Sequence, residues 1–223
     1  MCSHVRAQVE LHTRGYEVCK GAIPIDPNLV KKIKDAKCHE EGLPSGPGGE
    51  RDPRRQQTID HWGTSHWIQL IKALQTDVLR KRGHLKCSQD EKVVRKMHGL
   101  KSLPTPGYVE KRNPQTPQEG DQVAHTDEPR EYLAKYMAEK GRRGVQDVPL
   151  STILAIEEGS CLRIRPFQGE WTIVYLEPGD LLIFRGDVCH NGLGYAHENF
   201  RVHAYVYAPD YTPGVSHIHT CGQ

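Results

Sequence analysis

Pro149-Leu-Ser-Thr-Ile-Leu-Ala-Ile156 is a short run of apolar and β-branched residues, and the stretch it opens decides the fold. Glu157-Glu-Gly-Ser160 turns the chain, and Cys161-Leu-Arg-Ile-Arg165 reads as a second strand. Trp171-Thr-Ile-Val-Tyr-Leu176 follows, then a Glu-Pro-Gly-Asp turn and Leu181-Leu-Ile-Phe184. The last strong strand is Asn199-Phe-Arg-Val-His-Ala-Tyr-Val-Tyr207. Short, evenly spaced strands with turn residues between them predict a β-sandwich or barrel.

Upstream the character changes. Residues 15–24 predict a short strand closed by Pro24, and residues 26–34 a helix capped by Asp26 with Pro27 in its first turn. Residues 42–56 are rich in glycine, proline and charge and read as a loop. Trp67, Ile68, Leu70, Ile71, Leu74, Val78 and Leu79 place an amphipathic helix over 65–82. Residues 83–101, dense in lysine, arginine and histidine, read as a solvated helix or lid. The helices, concentrated in the first half, are expected to brace the β-structure from outside.

Composition narrows the function classes. The 223 residues are 36% hydrophobic, enough for a substantial core, with a formal net charge of +2 from 30 basic and 28 acidic side chains. So near a balance gives no global electrostatic case for nucleic acid or a membrane surface. No stretch has the length of a membrane span, and the first residues have no apolar core of signal-peptide type. Seven cysteines, scattered without CxxC pairs, argue against a disulfide framework or zinc ribbon. Reduced thiols in a cytoplasmic or nuclear protein are the expectation.

The chemistry sits in four residues. In His125-Thr-Asp127 the histidine and carboxylate are two apart, so on a strand they share a face and can grip one divalent metal. His190 lies just beyond the apolar strand 181–184, where a barrel mouth would be. Arg201 starts the final strand eleven residues later. An arginine aimed into a core is costly unless it meets an anion, and its planar fork suits a carboxylate. Arg201, His203, Tyr205 and Tyr207 alternate with small apolar residues, giving that strand one polar, aromatic face. Two imidazoles and one carboxylate on iron(II) leave three positions open, enough for a chelating 2-oxo acid and dioxygen.

Taken together, His125-Thr-Asp127, Gly179-Asp-Leu-Leu-Ile-Phe184, His190 and Arg201 resemble the 2-oxoglutarate/iron(II) dioxygenase superfamily over roughly residues 105–208. The resemblance implies a single domain over 1–223: a double-stranded β-helix (jelly-roll, cupin-like) core over about 105–210, braced by N-terminal helices over about 1–104. It implies an iron(II) held by His125, Asp127 and His190, with 2-oxoglutarate as cosubstrate, Arg201 on its distal carboxylate, and ascorbate as a supporting reductant. These four residues are the expected catalytic set. Many members carry a serine two residues after the arginine, where it touches the same carboxylate. This chain has His203 there, and Tyr108, Tyr205 and Thr172 are the hydroxyl candidates. The retained Asp127 separates it from the halogenating branch, which binds chloride in that place.

The implied reaction couples decarboxylation of 2-oxoglutarate, giving succinate and carbon dioxide, to hydroxylation of a C–H bond in a small molecule or protein side chain. An oxygenase or demethylase acting on a nucleic-acid base is the alternative, on the strength of a basic rim from Arg51, Arg54, Arg55, Lys81, Arg82, Lys86, Lys92, Arg95 and Lys96. A cupin-like binding module without turnover is a third reading, which the intact triad and Arg201 oppose. His61, Trp62 and Asn191 are weak candidates for lining the substrate pocket. His217-Ile-His-Thr-Cys221 reads as a mobile tail, and Cys189 as a packing residue beside His190.

Overall fold

The computed structural model describes residues 9–39, 41–44, 51–58, 65–83, 93–141, 148–208, 210–212 and 219–221. Two antiparallel sheets carry the architecture. Strands β1 (Tyr16–Cys19), β4 (Arg55–Gln57), β5 (Val93–Ser102), β7 (Leu150–Ala155), β10 (Leu181–Arg185) and β12 (Asn199–Tyr207) form the larger, in the order β1-β10-β7-β12-β5-β4. Strands β6 (His125–Thr126), β8 (Ser160–Arg165), β9 (Thr172–Leu176), β11 (Cys189–Gly192) and β13 (His219–Thr220) form the smaller, in the order β13-β6-β11-β8-β9. From β5 to β12 the chain crosses repeatedly from one sheet to the other, which is the jelly-roll arrangement. A two-stranded ribbon pairs β2 (Leu43–Pro44) with β3 (Arg51–Asp52).

The large sheet is buried on both faces. Its inner face packs Tyr16, Ile153, Ala155, Leu182 and Phe184 against Leu162, Ile164, Val174 and Leu176 of the small sheet. Its outer face (Leu154, Leu181, Ile183, Val202, Ala204 and Val206) is covered by Ile33, Leu70, Leu74, Val78 and Leu79. Those last residues lie on helix α1 (Pro27–Asp35) and on α2 (Ser65–Lys72), which continues as a π-helix over Ala73–Arg80. The predicted external bracing is therefore present, and the Asp26 side chain caps α1 by accepting from the Asn28 N–H at 2.9 Å. In the turn before β10, Gly179 has φ +90°, and a Cβ there would stand 2.8 Å from the Ile23 carbonyl oxygen, so the turn requires glycine.

Several expectations are corrected. Residues 93–101, within the stretch expected to be a solvated helix or lid, belong instead to strand β5 between β12 and β4. Its inner face mixes His98 and Ser102 with Leu100, which hides the usual alternation. The loop 42–56 contains β2, β3 and the start of β4. Helix α3 (Arg130–Glu139), not anticipated, packs Leu133 and Tyr136 on Tyr207 and Tyr211. The end of the tail is pinned: His219 and Thr220 pair with Thr126 and His125. That pairing brings Cys221 to Cys189, and the two form a disulfide 32 residues apart. An odd cysteine count without CxxC says nothing about so distant a partnership. Among the described residues no helix is long and apolar enough to cross a membrane.

Closing a loop of that length removes about 3–4 kcal/mol of unfolded-chain entropy. At about 2–4 °C per kcal/mol for a chain this size, Cys221→Ser is expected to lower the melting temperature by roughly 6–16 °C. Thermal unfolding with and without reductant checks this; equal midpoints for the wild type in both conditions would exclude the bond.

Candidate metal centre

Strand β6 is two residues long and is held between β11 and β13, with His125 directly opposite His190. The pairing sets the two imidazoles side by side, ring centroids 4.5 Å apart. Asp127 follows β6, with one carboxylate oxygen 3.7 Å from His190 Nε2. One donor atom from each of His125, Asp127 and His190 lies within 4.8 Å of the others. Both histidines are buried.

The protonation states are fixed from behind. His125 Nδ1 is 2.8 Å from the Val123 carbonyl oxygen, and His190 Nδ1 is 3.1 Å from that of Val188. A carbonyl only accepts, so each Nδ1 carries a proton, and the neutral tautomer this selects leaves the Nε2 lone pair for a metal. Burial, reinforced by the neighbouring His190, pushes the His125 imidazole down to about 4, so it is neutral at neutral pH. Burial raises the Asp127 carboxyl, but His190, His203 and His125 together with the Ser151 hydrogen bond outweigh it and hold it below its ordinary value. Ser151, on the inner face of β7, donates to one Asp127 oxygen. The result is two imidazole Nε2 atoms and one carboxylate facing one another, the donor set for a first-row divalent metal with open positions.

Beside this triad, Arg201 is buried on the inner face of β12. Its Nη1 donates to the Tyr195 hydroxyl at 3.0 Å and to Ser102 Oγ at 3.2 Å, while its Nε makes no hydrogen bond among the described residues. The Tyr195 hydroxyl donates in turn to the Cys161 carbonyl at 3.0 Å. Its single proton is thereby used, and it meets Arg201 as an acceptor. Burial, with Cys161 nearby, pushes its phenol up to about 12. Tyr195 is a residue that sequence reasoning missed; it belongs to no strand, and only its spacing of six from Arg201 hints at it.

Of the other candidates, His203 shares the Arg201 face and lies close enough to Asp127 to lower it. Its ring is 4.5 Å from Tyr205 and 5.2 Å from His98, centroid to centroid. Tyr205 stacks on Tyr207 at 5.7 Å, and burial, with Asp127 and Glu128 near, raises its phenol well above the usual value. Tyr108 and Thr172 make no hydrogen bond to Arg201. Tyr108 lies against the Arg112 guanidinium, 5.0 Å from the ring centroid, and Thr172 stands on edge strand β9 opposite Ile164. Asn191 is wholly buried, but strand alternation turns it from the His190 face, and neither side-chain amide atom has a partner among the described residues. His61 and Trp62 lie outside the described residues.

The basic rim does not assemble among the described side chains. Arg55 is interior at 3% exposure. Arg51 pairs with Glu41 at 3.4 Å, Arg54 with Asp52 at 2.9 Å, Lys81 with Asp77 at 3.2 Å, and Arg82 with Glu17. Lys86, Lys92 and the side chains of Arg95 and Lys96 lie outside what is described.

No protein-family model matches the sequence, and no curated protein matches it. Solved structures do match the fold. A 2OG-Fe(II) oxygenase family oxidoreductase from Burkholderia pseudomallei superposes with a TM-score of 0.62 at 11% identity, over 95% of this chain and 94% of that one. A prolyl-4-hydroxylase from Pseudomonas putida gives 0.57 at 16% identity, over 92% and 98%. HygX from Streptomyces hygroscopicus, with nickel and 2-oxoglutarate bound, gives 0.58 at 10%, over 97% and 96%. The chain therefore shares the fold of these oxygenases over 92–97% of its length.

Proposed function

We propose that this protein is an iron(II)- and 2-oxoglutarate-dependent oxygenase that hydroxylates a C–H bond of a small molecule or a protein side chain. The observation that carries the reading is the joint presence, on one inner surface, of the His125–Asp127–His190 donor set and a buried arginine with an unpartnered donor. A cupin-like binding module or a zinc hydrolase would need the first and not the second.

Each residue has a defined task. His125 and His190 offer Nε2 lone pairs, and Asp127 offers a carboxylate oxygen steadied by Ser151. When bound, iron(II) supplies the oxygen chemistry that couples 2-oxoglutarate decarboxylation, to succinate and carbon dioxide, with substrate oxidation. Arg201 takes the distal carboxylate of the cosubstrate and so sets its direction towards the triad. Phe184, whose ring is 4.8 Å from that of His190, and Ile164, opposite His190, keep water from the buried side.

Purified protein supplied with iron(II) and ascorbate is expected to convert 2-oxoglutarate to succinate slowly without any added substrate. Absence of succinate above the chelator-treated control would sink the assignment. A screen of amino acids, peptides and oligonucleotides for faster release then identifies the substrate class. Stimulation by oligonucleotides with a steep salt dependence would favour the nucleic-acid alternative.

A further inference from the structure

Among the described residues, a second buried cation, Arg55, lies on the inner surface. Arg55 lies on β4 in register with Ser102 of β5, and Arg201 lies on β12 in register with Leu100 of β5. The two arginines thus flank one strand and point to the same face. Both are buried, at 3% and 4% exposure. One corner of the Arg55 guanidinium is fastened: Nη2 donates to the Gly120 carbonyl at 2.7 Å and the Gly192 carbonyl at 2.9 Å. The other donors, Nε and Nη1, make no hydrogen bond among the described residues.

A purely structural cross-link explains Nη2, and Asp52 lies near Nε, but neither accounts for Nη1. The Asp52 carboxylate forms a loose ion pair with Nε, its Oδ2 at 3.5 Å while Oδ1 accepts from Arg54 at 2.9 Å, and Asp121 is held by Arg112 at 2.6 Å. Burial, then repulsion from Arg201, pushes Arg55 down to about 10, so it remains a cation at neutral pH. Its charge also bears on Tyr195 and on the metal-side His125. Gly192 leaves room for it, since a Cβ there would stand 2.5 Å from Nη1. Two buried guanidinium groups with idle donors are costly unless an anion completes them.

We propose that Arg55 is a second carboxylate-binding cation of the cosubstrate pocket, acting with Arg201 on the same anionic end and selecting a 2-oxo acid that bears a second carboxylate. The proposal rests on the oxygenase reading above. Charge-assisted hydrogen bonds are the strong ones, so the contribution is large for 2-oxoglutarate and absent for an oxo acid with no distal anion.

The test measures binding of 2-oxoglutarate and of 2-oxobutyrate, which lacks the distal carboxylate, to manganese(II)-loaded protein by calorimetry. Arg55→Met is expected to weaken 2-oxoglutarate at least about tenfold and to leave 2-oxobutyrate within about twofold. Arg55→Lys, which keeps the charge and loses the fork, should fall between and decides the matter if the methionine variant does not fold. Equal losses for both ligands, or no loss for either, would overturn the role of Arg55 alone. Failure of the wild-type protein to bind 2-oxoglutarate would overturn it together with the oxygenase reading.

Discussion

Replacing Asp127 with alanine is expected to lower affinity for iron(II) or manganese(II) by more than about 100-fold and to abolish succinate formation. Changing groups that merely orient metal ligands costs about 10–100-fold, and Asp127 is the one anionic donor of the three. Without it, two neutral imidazoles face a dication with no charge to offset it. Asp127→Asn separates charge from shape: the amide is close to isosteric and can still accept from Ser151, so the fold is retained while the negative charge is lost. Both variants should therefore fail alike in metal titration while Asp127→Asn keeps wild-type circular dichroism. An asparagine variant that binds metal as the wild type does would remove Asp127 from the centre.

The strands were legible where both faces obey one rule. Residues 199–207 were read as a strand and form one, because small apolar residues alternate with polar ones along its length. Strand β5 was illegible for the reason that makes it useful. Its inner face carries His98 and Ser102 beside the site, and its outer face includes Lys101, so neither face shows a clean apolar period. Arg55 was misread as surface for a related cause: a sequence rich in glycine, proline and arginine suggests solvent, whereas pairing with β5 draws this one arginine inside. The metal triad was readable because His125 and Asp127 are near neighbours and His190 follows a strong core strand. Tyr195 and the Cys189–Cys221 disulfide depend on contacts 34 and 32 residues long, which no local pattern encodes.

Arg201→Met is expected to raise the KM for 2-oxoglutarate by 100-fold or more in the uncoupled succinate assay, with a far smaller fall in kcat. The two donors a guanidinium can present to a carboxylate contribute about 1.5–3 kcal/mol each, and about 1.4 kcal/mol is tenfold. Methionine fills much of the same volume, so the inner surface does not collapse. Tyr195→Phe gives the contrasting result. Its hydroxyl gives its proton to Cys161 and accepts from Arg201, so it steers the guanidinium without meeting the cosubstrate. Its loss removes one acceptor that steers the guanidinium and no contact to the cosubstrate, so a smaller rise of roughly three- to tenfold in KM is expected. Because the phenol is held up near 12, that effect should be constant between about pH 6 and 9. A Tyr195→Phe variant as defective as Arg201→Met would mean that the hydroxyl itself touches the carboxylate; an Arg201→Met variant with unchanged KM would place the cosubstrate elsewhere.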